Sequence, residues 1–430
     1  STTEIRFPAS QFSRELLPTF GRPTMATFGT PIVATISLPG LVMFWVKRSI
    51  VGAPGNRIHR LDTLRAHLTP RQSRGLMDEL RLRPFSPSPR LRRGVARRST
   101  TTNHSTPPSP EPPTLADFAA DLAIWGPAGS AHGGVSLAEA EKYCRELATT
   151  HYENFPVVSW LLPRDLHQHF YNVYAYCRWS DDLADEVDDA DRSLELLDWW
   201  LNELRRCYAG EAEHPVFVAL SSTVQEFQIP AEPFEDLLSA FRQDQTVHEY
   251  ETFDDLRDYC RRSADPVGRL VLFLCRAHNP QNVAWSDSVC TGLQLANFWQ
   301  DVARDLDIGR IYLPIEDCRR FGYSREDLRN RVTNPEFLNL MKFEVDRARE
   351  FLTAGLPLVP ALPGRLQMDI ELFIRGGLKI LDHVEAIDYR VWETRPRVRK
   401  HEFLGLLAAS ACRALWRRVA SRGRSSQNRG

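Results

Sequence analysis

From about Ser136 onward, apolar positions recur at steps of three and four residues, and that period predicts helix after helix. Ser136-Leu-Ala-Glu139 resembles a capping box and marks a helix start. His151 to Val157 breaks the pattern, and Pro163 opens the next helix in its first turn, predicted to run to about Val187. Further helices are predicted over 191–207, where Leu194, Leu197, Leu201 and Leu204 share a face, and over about 214–228 and 233–247. A helix from Phe253 breaks at Pro266 and restarts with Val267, Leu270, Val271 and Leu274. Helices over about 284–307, 334–355 and 366–392 follow, and Gly309 ends the first of them by the logic of a left-handed C-cap. No stretch alternates as a strand would, and no internal repeat is present. The expected fold is all-α: one domain over 131–425, a helical bundle around a central cavity.

Residues 1–130 lack this period. Pro, Ser, Thr and Arg dominate, and Ser105 to Pro113 cannot form a packed element, so the region reads as a mostly disordered extension. Pro23 to Val46 carries no charge. A secretory apolar region, a poor membrane span and a spurious start upstream of the true one compete as readings of this end; Pro31, Pro39 and Gly40 speak against a span. The arginine run from Arg81 to Arg98 reads as a solvated tail before a nucleic-acid site.

Two stretches break the rule that a helix turns apolar residues in and charge out. Tyr171 to Glu186 has no Gly or Pro. On a helix, Tyr171, Tyr174, Arg178, Asp181 or Asp182, and Asp185 fall on one face. Asp181 and Asp185, one turn apart, repel each other unless a cation stands between them. In the second stretch Gln294, Asn297, Asp301 and Asp305 are spaced three, four and four, among Leu295, Ala296, Phe298, Trp299, Val302 and Ala303. A polar stripe on an otherwise apolar helix points into a protein interior, where carboxylates need counter-charge or metal. The competing reading, two solvated acidic faces, does not suit such apolar flanks. Oxygen ligands on acidic walls suit Mg²⁺, which takes a few carboxylates together with waters and phosphate oxygens.

Composition narrows the function without naming it. The 430 residues, 43% hydrophobic and 25% charged, suffice for a large core, and a net charge of −1 exerts no global pull on nucleic acid or anionic lipid. Eight scattered cysteines with no CxxC pair argue against zinc and a disulfide framework and for a reducing compartment. No GxGxxG, P-loop or HExxH is present.

Asp181-Asp182-Leu-Ala-Asp185 and Asn297-x-x-x-Asp301-x-x-x-Asp305 resemble the two aspartate-rich motifs of the squalene/phytoene synthase family. Tyr174-x-x-x-Arg178 and Arg310-Ile-Tyr-Leu-Pro314 also match, and the resemblance runs from about Tyr143 to about Phe403. It implies an isoprenoid (terpenoid) synthase bundle in which about two or three Mg²⁺ ions hold a prenyl diphosphate. Asp181, Asp182, Asp185, Asn297, Asp301 and Asp305 would ligate metal; Asp181, Asp185, Asp301, Asp305, Tyr174 and Tyr259 would be catalytic. Arg178, Asn154, Phe155, Gln294, Asn297, Gln300, Tyr312 and Arg395 would bind substrate. Phe155, Tyr174, Leu295, Phe298 and Trp299 would line the deeper cavity, where aromatic faces stabilise a carbocation; for Phe298 and Trp299 singly, core packing is the stronger reading.

Within the family, three departures resemble the hydroxysqualene synthases of bacterial hopanoid biosynthesis. Glu153-Asn-Phe-Pro-Val157 replaces a Ser/Lys-rich entry, Gln300 replaces an arginine, and Arg261 with Ser263-Ala-Asp-Pro266 stands in a cavity wall of altered chemistry. The resemblance implies ionisation of presqualene diphosphate, capture of the cation by water, and no NADPH. Arg375-Gly-Gly-Leu378 stands where the family often has a tyrosine, so the residue positioning the water stays open between His151, Asn154 and Asp265. The alternatives are a head-to-head condensing enzyme (presqualene diphosphate, squalene or phytoene synthase) and, more remotely, a non-catalytic helical scaffold. A di-iron bundle would need Glu-x-x-His pairs, which the two motif stretches lack. No nucleic-acid partner is expected. Expected instead are cytoplasmic residence, peripheral contact with the inner face of the membrane, and other hopanoid-pathway enzymes as partners.

Overall fold

A computed structural model describes residues 118–129, 134–150, 164–187, 189–364, 366–399 and 401–413. Local chemistry sets the helix ends. Ser136 and Glu139 cap one another at the start of α2 (Leu137–Thr150), the Ser136 N–H donating to Glu139 Oε2 at 3.0 Å. A short 3₁₀ turn, Arg164–Leu166, leads into α3 (His167–Asp185). Asp189 caps α4 (Ala190–Ala209), accepting the Arg192 N–H at 2.8 Å. α5 (Pro215–Phe227) and α6 (Glu232–Asp244) each carry proline in the first turn. A reciprocal Thr252–Asp255 box starts α7 (Phe253–Ser263). The predicted break follows, and α8 (Asp265–Leu274) restarts with Pro266 in its first turn. α9 (Pro280–Asp307) is capped by Asn279 and has proline next to it. The short α10 (Ile315–Arg320) and α11 (Arg325–Arg329) lead to α12 (Pro335–Ala354), α13 (Leu358–Ala361) and α14 (Leu366–Ala386). α14 stops short of the predicted residue 392, because Asp388 and Tyr389 take left-handed φ of 52° and 59°. A last helix, α15, occupies 401–413.

The two motif helices are the hubs. α3 packs on α2, α4, α5 and α6, while α9 packs on α7, α8, α12 and α14; α6 touches both sets. The largest fully buried side chains include Trp179 on α3, Trp200 on α4 and Trp299 on α9. His214, the N-cap of α5, sits among Trp179, Trp199, Trp200, Trp125 and Phe217, with ring centroids 4.7–6.2 Å away. Among the described residues there is no strand; the one ladder contact is a bridge between Glu249 and Ile311. None of the described helices is long and apolar enough to cross a membrane.

One expectation is corrected here. The region read as disordered to residue 130 contains α1 (Phe118–Trp125). Phe118 meets Trp179 edge-on at 5.3 Å, and the Tyr143 hydroxyl donates to Asp121 at 3.0 Å. The edge-on aromatic contact and this hydrogen bond supply what the local sequence does not. Residues 1–117, with the uncharged stretch and the arginine run, lie outside the described residues.

Candidate active site

α3 presents the first stripe from inside to rim. Tyr174, Arg178, Asp181 and Asp182 are buried, and Asp185 in the last turn is exposed. Arg178 grips Asp182 one turn on, through Nη2 and through Nε at 2.6 Å. The pair is bidentate and buried, which makes it strong and directional.

α9 presents the second stripe. Gln294, Asn297, Asp301 and Asp305 are all at most 2% exposed. Asn297 Oδ1 and Nδ2, Gln294 Nε2 and Arg178 Nη1 are buried and have no hydrogen-bond partner in the fold. A buried polar atom left unpaired costs about 1–3 kcal/mol, so this set is built for a polar ligand. Arg395 brings its guanidinium fork to Asp301, with Nη2 to Oδ2 at 3.3 Å and a closer contact through Nε.

The C-terminal end of α9 is turned by chemistry legible in the chain. Gly309 has φ +80°, its N–H donates to Leu306 O at 3.1 Å, and the Arg310 N–H donates to Asp305 O at 2.8 Å. This is a Schellman ending, and it swings Arg310 back over the site. There Arg310 feels Asp244, Tyr312, Tyr259 and Asp185; burial opposes its charge, yet these acids and phenols hold its pKa above the usual arginine range. Asp244 in turn feels Arg310 and Asp185, and accepts the Tyr259 hydroxyl at 3.1 Å. Burial pushes Asp244 up to about 6, against the pull of Arg310 and Tyr259. The first motif's rim aspartate and the turn after the second motif therefore share one electrostatic neighbourhood around Arg310.

An aromatic wall adjoins this hub. Tyr312 stacks on Phe298 at 3.8 Å and 10°, and on Tyr250 at 5.8 Å; Tyr259 lies 6.1 Å from Tyr312. Backbone bonds align the wall, Ile311 N–H to His248 O at 2.7 Å and Ile315 N–H to Tyr250 O at 3.0 Å. On the other side Arg304, Arg395 and Arg397 crowd around Asp301 and Asp305, and burial followed by Arg395 lowers the Arg304 pKa. Crowded cations of this kind suit a polyanion.

Two cavities border α9. The smaller, of about 250 Å³ with its mouth, is lined by Phe298, Trp299, Asp305, Arg310, Tyr312 and Trp392. The larger, about 570 Å³ with its mouth, is apolar, formed by Phe170, Val271, Leu272, Val289, Leu362 and Phe373 among others, with Asp369 in its wall.

The expected residues fall out as follows. Tyr174, Arg178, Asp181, Asp182 and Asp185 lie along α3, and Gln294, Asn297, Asp301 and Asp305 along α9. Tyr259 and Tyr312 share the aromatic wall, and Arg395 reaches Asp301. Phe298 and Trp299 line the smaller cavity, but Leu295, fully buried, lines neither. Gln300 donates to the Pro396 carbonyl at 2.6 Å. His151, Asn154 and Phe155 lie outside the described residues. Arg261 does not stand in a cavity wall: its half-exposed side chain pairs with Asp258 at 2.8 Å, because the helix turns it outward beside an acid. Asp265 is buried and accepts the Thr291 hydroxyl at 2.9 Å, and burial raises its pKa well above the carboxylate range. Sequence reasoning missed Asp244, Tyr250 and Arg304, and took Arg310 only as part of a motif. Asp244 left a signal, since it stands seven residues after Leu237 on the buried face of α6.

Among the described residues no three His, Cys, Asp or Glu side chains stand close enough to cage an ion alone. The donor set nevertheless fits Mg²⁺, which takes few protein carboxylates and completes its shell with waters and phosphate oxygens. Asn297, with both amide atoms unpartnered between Gln294 and Asp301, carries that fit.

The profile of the squalene/phytoene synthase family matches residues 148–402. A 15-cis-phytoene synthase of Synechocystis sp. is 32% identical over 63% of this chain and 84% of its own length. A hydroxysqualene synthase of Rhodopseudomonas palustris is 37% identical over 55% of this chain and 80% of its own. Among solved structures, squalene synthase HpnC from Alicyclobacillus acidocaldarius is similar with a TM-score of 0.57 and 45% identity, covering 59% of this chain and 95% of that one.

Proposed function

The chain belongs to the squalene/phytoene synthase family, and from that premise we propose that it ionises presqualene diphosphate and lets water capture the rearranged cation, releasing hydroxysqualene and diphosphate. The members of this family are magnesium-dependent prenyl diphosphate enzymes. The observation that carries the reading is Asn297: a buried amide with both polar atoms unpartnered, set in the stripe whose next member, Asp301, is held by Arg395. Gln300, where the condensing relatives commonly carry an arginine, together with the 37% identity to a hydroxysqualene synthase, supports the choice of reaction.

Asp181, Asp185, Asn297, Asp301 and Asp305 would hold Mg²⁺, which neutralises a leaving diphosphate. Arg178, Arg304 and Arg395 share that charge through planar, multi-donor guanidiniums. The carbon–oxygen bond breaks with its electron pair going to the diphosphate. Phe298, Tyr312 and Tyr259 offer aromatic faces to the cation that remains. The apolar cavity beside α9 takes the hydrocarbon chains and restricts water to the one molecule that attacks. Water adds through oxygen and its proton leaves with the released diphosphate. No hydride donor enters this balance. We further read the eight unpaired cysteines as fitting cytoplasmic residence, and Leu404, 61% exposed on α15, as a contact for the inner face of the membrane.

The test is to incubate purified protein with presqualene diphosphate and Mg²⁺, without NADPH, and weigh the extracted lipids. Hydroxysqualene is the expected product. The second reading, head-to-head condensation, draws on the relatives named phytoene synthases. Conversion of farnesyl or geranylgeranyl diphosphate as sole substrate would establish it and overturn the first.

A further inference from the structure

The arginine fork on Asp301 is held from behind. Gln300 is 5% exposed, and its Nε2 donates to the Pro396 carbonyl at 2.6 Å. The next residue, Asp301, accepts from Arg395. Two consecutive residues of α9 thus grip two consecutive residues of the 395–399 segment. The far end of that segment is closed as well: Val398 is buried with Ile380 and Phe403, and the Arg399 N–H donates to Glu402 at 2.8 Å. Proline has no N–H, so the carbonyl is the only backbone hydrogen-bonding group that residue 396 offers.

We propose that Gln300 is a positioning residue: through the Pro396 carbonyl it fixes where the Arg395 guanidinium stands beside Asp301, and so aims that fork at a diphosphate group. The inference rests on the diphosphate reading above. The site calls for a donor without charge, which is what a glutamine amide supplies. A glutamate would set a carboxylate against the Pro396 carbonyl. A lysine or arginine would add a cation to Arg304, Arg395 and Arg397, a group crowded already. Methionine has nearly the same length and no donor; asparagine keeps the donor on a shorter arm.

The experiment is calorimetric titration of inorganic diphosphate, at saturating Mg²⁺, into wild type, Gln300→Met, Gln300→Asn, Arg395→Ala and the Gln300→Met/Arg395→Ala double variant. Melting temperatures of all five are recorded alongside. Gln300→Met is expected to weaken diphosphate binding about five- to tenfold, the size of one hydrogen bond. Gln300→Asn recovers part of that loss. In the Arg395→Ala background Gln300→Met weakens binding no further, because the residue acts only through Arg395. In turnover the Gln300→Met loss falls on kcat as well as KM, because Arg395 shares the charge that develops on the leaving diphosphate. Additive losses in the double variant overturn the proposal and place Gln300 on the ligand itself. Equal losses in the Met and Asn variants overturn the hydrogen-bond role. Unchanged binding by Gln300→Met overturns the positioning role and leaves the diphosphate reading standing, whereas a wild type that binds no diphosphate overturns both.

Discussion

Asp301 and Asp182 are each held by an arginine fork, while Asn297 is buried with no partner at all. A carboxylate in such a set matters for its charge, and an isosteric amide removes the charge alone. Asp301→Asn and Asp181→Asn are each expected to lower turnover about 10²-fold or more, since each takes away part of a charge clamp. Steady-state rates at saturating Mg²⁺ check this, and near-wild-type turnover would take those residues out of the site. A second side chain acts on stability. His214 accepts the Val216 N–H through Nδ1 at 3.2 Å inside its aromatic box, and burial lowers its pKa from 6.5 to about 3. Below pH 6.5 the unfolded chain takes up a proton that the folded chain refuses until about pH 3. Stability from this group is therefore complete above pH 6.5 and lost as pH falls through that window. His214→Asn keeps a cap acceptor and cannot titrate. Its unfolding free energy is expected to fall less steeply over that range, by up to about 1.4 kcal/mol per pH unit. Denaturant unfolding of both proteins at a series of pH values measures the two slopes, and equal slopes would contradict the burial of a neutral histidine.

Helix ends were legible because caps are local. Ser136 with Glu139, Pro266 and Gly309 act within four residues of where they stand, and each helix boundary they mark is observed. How closely helices approach is a different matter. A Cβ at Gly292 would lie 2.9 Å from both the Leu352 side chain and its backbone nitrogen, and one at Gly377 would lie 2.8 Å from Leu293 and 3.0 Å from Leu352. Leu352 is thus the point where α9, α12 and α14 close on one another. The Arg375-Gly-Gly-Leu378 run, read from sequence as a missing tyrosine, is in part a packing requirement. Gly292→Val is expected to destabilise the fold by about 1–3 kcal/mol through overpacking. Urea unfolding checks it; an unchanged midpoint would mean that α12 can move aside at no cost.

The described bundle includes α1, which starts at Phe118 and not at residue 131. Removing residues 1–117 is expected to leave melting temperature and turnover unchanged. Removing 1–130 deletes the Phe118–Trp179 contact and the Asp121–Tyr143 hydrogen bond, and is expected to lower the melting temperature by a few degrees. The two truncations are compared by thermal unfolding. Equal melting temperatures would show that α1 does not stabilise the bundle, and loss of soluble protein in the shorter truncation would show that the first 117 residues are structural.

The period of three and four, the capping residues and the two polar stripes lie within single helices, so the all-α class, most boundaries and the acidic residues could be read from the chain alone. The stripe of Gln294, Asn297, Asp301 and Asp305 is complete in its spacing. What the chain alone withheld are pairings between distant segments. Arg395 reaches Asp301 across 94 residues and Gln300 reaches Pro396 across 96. Tyr259 finds Asp244 only because α6 ends where α7 passes, and Arg310 comes under the charge of Asp244 and Asp185 only through the folding together of distant segments. Arg261 shows the converse: its charge was legible, but its outward direction was settled by Asp258 and the packing of α7. Periodicity reports which face of a helix is buried. It carries no information about which other face it is buried against, because that depends on chain closure over tens of residues and on the packing of both hub helices at once.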